Sequence, residues 1–196
     1  MTTVVGADGR VRCAWGSGSE EYIRYHDEEW GVPLHGDRAL FEKLSLEGFQ
    51  AGLSWITILK RRPGFREAFH GFELDAVASM TAADVETLMD DVRIIRNRAK
   101  IEATISNARL ALDLTTGSPG AFDTLMWSFA PVDRPRPAVI PASTAESTAM
   151  STALRKLGFR FVGPTTMYAL MQSAGMVDDH DPQCFRAGAG AGTHAG

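Results

Sequence analysis

Cysteine, excess basic charge and long apolar runs are all scarce in this sequence of 196 residues. Its two cysteines, Cys13 and Cys184, lie near opposite ends of the chain. A disulfide between them is disfavoured in a reducing cytoplasm, so free thiols or metal ligands are the better interpretations. The formal net charge of -4 argues against a protein that binds nucleic acid mainly by bulk electrostatics, because such domains are usually strongly basic. Any contact with DNA must therefore use a local basic patch.

Sequence signals for membranes and for secretion are lacking as well. No run of apolar residues reaches the length that spans a membrane. The N-terminus lacks the basic start and the long apolar stretch that a secretory signal requires. We therefore predict a cytoplasmic protein without a membrane partner.

The composition is that of one folded domain. With 196 residues and 44% hydrophobic content, the chain can bury one substantial core. Residues 1–11 carry little periodic signal and residues 187–196 are mostly glycine and alanine, so we predict mobile ends around a domain over residues 12–186. Apolar residues recur at helical spacing, and no strong alternating strand pattern is present. The prediction is an all-α fold in a single compact domain.

Several helices can be predicted in the first half of the chain. Asp37 is placed to cap a helix that Gly48 interrupts, and the apolar run 51–59 suits a buried helix that ends before Arg61. Thr81 and Asp84 resemble a capping pair at the start of a third helix. A fourth follows through Ile101 and Ile105, with a basic turn at residues 93–98 between the two. These last two helices should form a helical hairpin.

The second half contains a proline-rich segment and two further predicted helices. Residues 131–142 hold four prolines, which predicts an extended surface connection. Ser147 is then placed to cap a helix that ends at Gly158. Another helix should run from Pro164 to about Ala174.

Aromatic residues are dense near the N-terminus, where Trp15, Tyr22, Tyr25 and Trp30 lie within a short stretch. Each ring taken alone is most simply explained as part of a core. As a group the rings also suit a flat, partly cationic ligand, since stacking and cation-π attraction both need ring faces. Both interpretations stay open at this point.

Four potential metal ligands lie at the two ends of the chain. His180 and Cys184 are four residues apart, and Cys13 and His26 would complete a Cys2His2 set for a tetrahedral zinc ion. The alternative is a buried thiol and ordinary histidines. With four protein ligands no position remains for an activated water, so such a zinc ion would be structural and would join the N-terminal and C-terminal segments.

Two further features carry charge. Glu47 lies in an otherwise apolar stretch, so it either pairs with a cation, faces a pocket or lies at a solvated helix end. Arg96, Arg98 and Lys100 cluster in the turn of the predicted hairpin, where they could bind a DNA phosphate without reading sequence or could simply be solvated.

Taken in order, six segments resemble the 3-methyladenine DNA glycosylase I family over roughly residues 12–185. YHDEEWG and the LEGFQAGLSW block are highly specific to that family. The segments are CAW, YHDEEWG, LEGFQAGLSWITIL, IIRNRAKI, FVGPTTMY and DH with a later Cys.

The resemblance implies a fold, a site and a cofactor. The fold would be an all-α member of the helix-hairpin-helix glycosylase superfamily, with the hairpin at residues 93–100. Leu53 matches a position that probes DNA where the lesion leaves the stack, and Glu47 would contact the polar edge of the adenine. The structural zinc ligands fall on Cys13, His26, His180 and Cys184, and the base-binding residues on Trp15, Tyr22, Tyr25, Trp30, Glu47 and Trp55.

The resemblance also implies a reaction. Alkylated double-stranded DNA would be the partner of a monomeric enzyme, and 3-methyladenine would be released by hydrolysis without strand cleavage. Glu47 would bind the base and assist electrostatically. Two rival hypotheses are a zinc-stabilised binder of damaged DNA that cuts no bond, and a zinc hydrolase in which water replaces one of the four ligands.

Overall fold

The structure is a computed structural model that describes residues 2–132, 136–137 and 139–188. In these residues, regular structure consists of one antiparallel strand pair, two short 3-10 turns and α-helices, which confirms the predicted all-α class. The elements are β1 Thr3–Val5, β2 Val11–Cys13, α1 Glu20–Glu28, α2 Asp37–Gln50, α3 Trp55–Ala68, α4 Leu74–Ala78, α5 Ala82–Asp90, α6 Arg98–Thr115, α7 Ala121–Trp127, α8 Ala145–Lys156 and α9 Pro164–Ser173.

Helix α2 lies in the middle of the core. Every residue from Leu40 to Phe49 is buried, because α3, α6, α7 and α9 all pack against it. A helix that is buried on all sides normally carries apolar residues all round. This one instead holds Glu42, Lys43 and Glu47 inside the protein. Charges in such a position need partners or a function.

The N-terminal residues, predicted as a mobile end, include a paired strand. β1 pairs antiparallel with β2, with Thr3 opposite Cys13, so part of the stretch 1–11 has regular structure that its sequence pattern does not indicate. Strands this short give no readable alternation. Side-chain bonds add to the pairing, because the guanidinium of Arg12 donates to Asp8 and Asp27. The hairpin places Cys13 at a fixed position beside α1.

The predicted helix boundaries hold where the capping partners are local. Thr81 and Asp84 form the expected capping box, Pro164 begins α9, and Gly158 has a φ of +102°. At the start of α8, Thr144 is the N-cap and Ser147 is its third-position partner, which corrects the prediction that Ser147 is the cap.

Boundaries that depend on distant contacts were predicted wrongly. Asp37 is the first residue of α2, and its carboxylate accepts hydrogen bonds from the backbone of Gly120 and Asp123 at the start of α7. Gly48 does not interrupt α2. A Cβ there would lie 3.4 Å from the Cβ of Phe161, so the glycine allows close packing.

Helix α3 also departs from its prediction. Residues 51–54 form an exposed turn, and the helix then runs from Trp55 through Arg61 and Pro63 to Ala68.

The described part of the proline-rich segment has no helix or strand, as predicted, whereas residues 133–135 and 138 lie outside the described residues. Residues 189–196 of the Gly/Ala tail also lie outside them. Within the described ranges, none of the helices is long and apolar enough to cross a bilayer.

Candidate active site and metal cluster

The four predicted metal ligands meet in one buried cluster. Cys13 ends β2, His26 lies in the last turn of α1, and His180 and Cys184 belong to the segment after α9. Their donor atoms all lie within 4.8 Å of one another. The Cys184 Sγ is 3.4 Å from His26 Nε2 and 3.6 Å from His180 Nδ1. The cluster could therefore hold a metal ion.

The atoms on the outer side of the cluster support this use. His180 Nε2 lies 3.1 Å from the Trp30 carbonyl, which can only accept, so Nε2 carries the hydrogen and the Nδ1 lone pair faces the sulfur atoms. His26 Nδ1 lies 2.8 Å from Asp27 Oδ1 and is oriented in the same way. The backbone of Asp181 donates to the Cys13 sulfur at 3.2 Å. Burial lowers the pKa of His180 to about 4, which leaves it in the neutral form that binds metals.

All six residues predicted to bind the base line one cavity of about 310 Å³. Tyr25 and Trp30 are buried, whereas Trp15, Tyr22 and Trp55 are partly exposed at its walls. A pure core would bury all five rings. The rings therefore surround a space that a flat ligand could enter. The residues that share this cavity are Trp15, Tyr22, Tyr25, Trp30, Glu47, Gln50, Trp55, Ile140, Ala169, Gln172 and Ser173.

The Cys2His2 cluster supports two of these rings directly. The Trp30 ring packs edge-on against His180 with centroids 4.6 Å apart, and the Trp15 ring packs edge-on against His26 at 5.4 Å. Trp15 and Trp30 are themselves 4.9 Å apart at an angle of 71°. Edge-to-face contacts of this kind fix the orientation of a ring. The position of this wall of the cavity thus depends on the cluster.

The opposite wall is fixed by the contact between α1 and α3. The backbone N–H of Ile56 donates to the Tyr22 hydroxyl at 3.1 Å, which joins α1 to the first turn of α3. Tyr25 and Trp55 pack with their centroids 5.4 Å apart. The buried Nε1 of Trp55 has no hydrogen-bond acceptor within the described residues. That N–H is a donor that a ligand in the cavity could satisfy.

Among the described residues that line the cavity, Glu47 is the one acidic residue. It is 4% exposed, which excludes the solvated helix end as its explanation. Its Oε1 accepts a hydrogen bond of 2.9 Å from the Ser173 hydroxyl. Burial raises the pKa of Glu47 to about 7, and the Lys43 charge and the Ser173 hydrogen bond oppose this rise. At neutral pH a substantial fraction of Glu47 is thus a carboxylate.

This pKa has a consequence for stability. The pKa of Glu47 is raised from 4.5 when the chain is unfolded to about 7 when folded, so its contribution to stability is largest below pH 4.5 and is lost as the pH rises through 7. Between these values, Glu47→Gln should gain up to about 3 kcal/mol in unfolding free energy relative to the wild type. Denaturant unfolding of both proteins from pH 4.5 to 8 measures this difference, in which titrating groups that do not interact with Glu47 cancel. A difference that does not vary with pH would contradict it.

The residues predicted to contact DNA differ in how far they are exposed to solvent. Leu53 lies in the exposed turn before α3, with 42% of its surface accessible. Arg96 is exposed between α5 and α6, and Arg98 is held by two hydrogen bonds to Glu86. Lys100 was predicted to lie in the exposed basic patch, but only 8% of its surface is exposed.

The Lys100 ammonium is used inside the protein. It donates to the carbonyls of Phe49 at 2.9 Å and Ala51 at 2.7 Å, at the end of α2. A buried ammonium with these partners is not available to a DNA phosphate. It instead fixes the exposed turn that carries Leu53.

Sequence reasoning missed several polar residues of the site. Gln172 and Ser173 end α9 and line the cavity, and Gln50 does the same from the end of α2. Their sequence signal was a polar side chain within an apolar helix, as in MYALMQSAG. That signal was too common to assign without knowing which faces meet.

Comparison with known proteins places this chain in a family. The family model for methyladenine glycosylase matches residues 15–187. A DNA-3-methyladenine glycosylase of Haemophilus influenzae is 47% identical over 89% of this chain and 96% of its own. A crystal structure of 3-methyladenine DNA glycosylase I covers 89% of this chain and 98% of that chain, with a TM-score of 0.84 and 47% identity.

A further solved structure contains a bound base. It is a substituted 3-methyladenine DNA glycosylase I in complex with 3-methyladenine, 35% identical over 90% of this chain and 97% of that chain, with a TM-score of 0.82. Since the family model spans most of the chain and a relative near half identity covers nearly all of it, this protein belongs to the methyladenine glycosylase family.

Proposed function

We propose that this protein releases 3-methyladenine from alkylated double-stranded DNA by hydrolysing the N-glycosidic bond, as a step of base excision repair. The observation that carries the proposal is a cavity that joins electron-rich ring faces to a buried carboxylate, Glu47. A relative solved with 3-methyladenine bound supports the same ligand.

The chemistry of the substrate fits these walls. A target base must leave the helix stack before an enzyme can act on it, and it is then held by stacking and by hydrogen bonds to its edge. Methylation at N3 gives adenine a positive charge, which favours ring faces and a carboxylate. The same charge weakens the glycosidic bond, because the base leaves as a neutral molecule when it takes the electron pair of that bond. Water adds to the sugar carbon and gives up one proton to the solvent, and an abasic site remains.

Strand cleavage is not part of this proposal. Glycosylases that also cut the strand need an amine that forms an imine with the sugar. No lysine lines the cavity among the described residues. We therefore infer a monofunctional glycosylase in which Glu47 binds the base edge and stabilises its charge.

We further infer that the Cys2His2 cluster holds a structural zinc ion. Cys13, His26, His180 and Cys184 would fill its tetrahedral shell, so the ion would supply folding energy and no activated water. The outer partners Asp27 and Trp30 support this ligand set. The two cysteines are free thiols, which fits a reducing compartment such as the cytoplasm.

For DNA binding we propose that α5 and α6 act as a helix-hairpin-helix unit, with the chain working as a monomer. Arg96 and the N-terminus of α6 would face a phosphate, and Leu53 would enter the duplex where the base leaves it. Arg98 would join them by exchanging Glu86 for a phosphate.

One variant tests the phosphate contact. Arg96→Ala should weaken DNA binding at every sequence, and the slope of log affinity against log salt should fall by about 1, because one phosphate contact is lost. Base release at saturating enzyme should stay close to wild type. Fluorescence anisotropy over a salt series measures the slope, and Arg96→Lys, which keeps the charge, is the control. An unchanged slope would remove Arg96 from the interface.

The proposed function itself is tested by a release assay on the wild-type protein. DNA that carries 3-methyladenine, 7-methylguanine or hypoxanthine is incubated with enzyme, and the free bases are separated by chromatography. We expect 3-methyladenine to be released fastest, with the strand intact until alkali is added. Binding to alkylated DNA without release of any base would favour the rival hypothesis of a non-catalytic binder.

A further inference from the structure

Lys43 is a buried cation that the proposed mechanism does not use. It lies one turn before Glu47 on α2 and is 7% exposed. No described residue forms a salt bridge with its ammonium within 4.0 Å. A lysine in this position costs stability, because burial disfavours the charged form and lowers its pKa. An apolar residue of similar length would fill the same space without that cost.

The ammonium of Lys43 lies behind the walls of the aromatic cavity. Its Nζ is 5.2 Å from the ring centroid of Tyr25 and 5.7 Å from that of Trp55, and both rings line the cavity. Lys43 itself lines the neighbouring cavity of about 540 Å³. It therefore touches the rings without sharing the space that the base would occupy.

Apart from Glu47, the acidic residues that act on Lys43 are Glu29 and Glu42, and each is bound to an arginine. Glu29 accepts two hydrogen bonds from Arg62 at 2.5 and 2.7 Å. Glu42 accepts one from Arg66 at 2.8 Å. The two opposite charges within such a pair largely cancel each other's electric field at a distance. Lys43 is left with Glu47 as its neighbour of opposite sign on the same helix.

Glu47 has few other polar neighbours. Across from it, α9 contributes Ser173, whose hydroxyl donates to the carboxylate. From α1 comes Tyr25, a neutral phenol whose pKa is raised by burial, and from α3 comes Trp55. None of these three carries a positive charge. Lys43 is thus the cation in this group that can favour the ionised carboxylate.

We propose that Lys43 is a positioning residue of the aromatic cavity, whose ammonium favours the ionised form of Glu47 and supports the Tyr25 and Trp55 rings from behind. The proposal rests on the proposed function, since it explains how a buried carboxylate stays available to a cationic purine. Lys43 acts through Glu47 and the rings and touches no substrate. An anionic cavity selects the charged methylated base over neutral adenine.

The primary test is the titration of Glu47 in full-length protein without DNA. Carboxyl carbons of glutamate are labelled with ¹³C, and the Glu47 signal is assigned by its loss in Glu47→Gln. In Lys43→Met the titration midpoint of Glu47 should rise by about 1 to 2 pH units, because the nearby positive charge is gone. Lys43→Arg, which retains the charge, should stay near wild type. A midpoint in Lys43→Met equal to that of the wild type would overturn the proposal.

Base release provides the second readout. In Lys43→Met the acidic limb of the pH profile should move upward with the Glu47 midpoint, so release near pH 7 falls about tenfold while melting shows a folded protein. If Lys43→Met fails to fold, both measurements are made on Lys43→Gln instead. If wild-type protein releases no base, the proposed function fails, and the titration still decides the link between Lys43 and Glu47.

Discussion

Replacement of a cluster ligand should remove the fold and the activity together. In His180→Ala the zinc content should fall from one equivalent to a small fraction, and base release should be lost by at least a factor of 100. The cluster joins β2 and α1 to the segment after α9, and it fixes Trp15 and Trp30 through contacts with the two histidine rings. A structural ion whose free concentration is a thousand times its dissociation constant stabilises the folded protein by about 4 kcal/mol.

The measurements are metal content, thermal unfolding and base release on the same preparations. His35→Ala is the matched control, because His35 is an exposed histidine that pairs with Asp123 away from the cluster. It should keep zinc, stability and activity. Chelation of the wild type should reproduce the ligand variant, and added zinc should restore it. If the chelated protein melted as before but released no base, the ion would be catalytic, as the rival zinc hydrolase requires.

The helices that could be predicted have boundary signals close together in sequence. Thr81 and Asp84 form their capping box within one turn, and Pro164 and Gly158 act through their own backbone angles. Such interactions are complete within a few residues, so the sequence displays all of their parts. The same holds for the amphipathic stripe of α6, where Ile101 and Ile105 are buried as expected.

The features that could not be predicted depend on partners far along the chain. Asp37 has the sequence of a cap, but its carboxylate binds the start of α7. Lys100 has the sequence of an exposed basic patch, but the free carbonyls at the end of α2 lie within its reach. In both cases the side chain binds backbone groups that lie far away in sequence. Only the packing of the helices decides which partner that is.

The candidate site shows the same division. The rings near the N-terminus and the four metal ligands stood out by residue type, and the resemblance added Trp55 and Leu53. Ser173 and Lys43 did not stand out by residue type, because a serine or lysine in a helix usually faces solvent. The contact of Ser173 with Glu47 forms only when α2 and α9 pack together, and the burial of Lys43 likewise depends on the helices packed around α2.

Glu47→Gln should lower kcat/KM for release of 3-methyladenine by about 100- to 1,000-fold, which corresponds to roughly 3 to 4 kcal/mol of lost transition-state stabilisation. The amide is nearly the same size and can still accept the hydrogen bond from Ser173, so the fold should be retained. What is lost is the negative charge that faces a cationic base. Because that charge acts in a buried cavity, where the effective dielectric constant is low, its removal lowers the reaction rate more than at a solvated surface.

Glu42→Gln is the matched control for this variant. Glu42 is also buried on α2, but it lines the neighbouring cavity and pairs with Arg66. Its amide variant should keep wild-type turnover and should lose stability only through the weakened pair with Arg66, which thermal unfolding reports. Single-turnover release of radiolabelled base, with melting curves of both variants, separates the effect on chemistry from an effect on folding. Equal turnover in Glu47→Gln and wild type would exclude Glu47 from the reaction, and the cavity would then act through ring stacking alone.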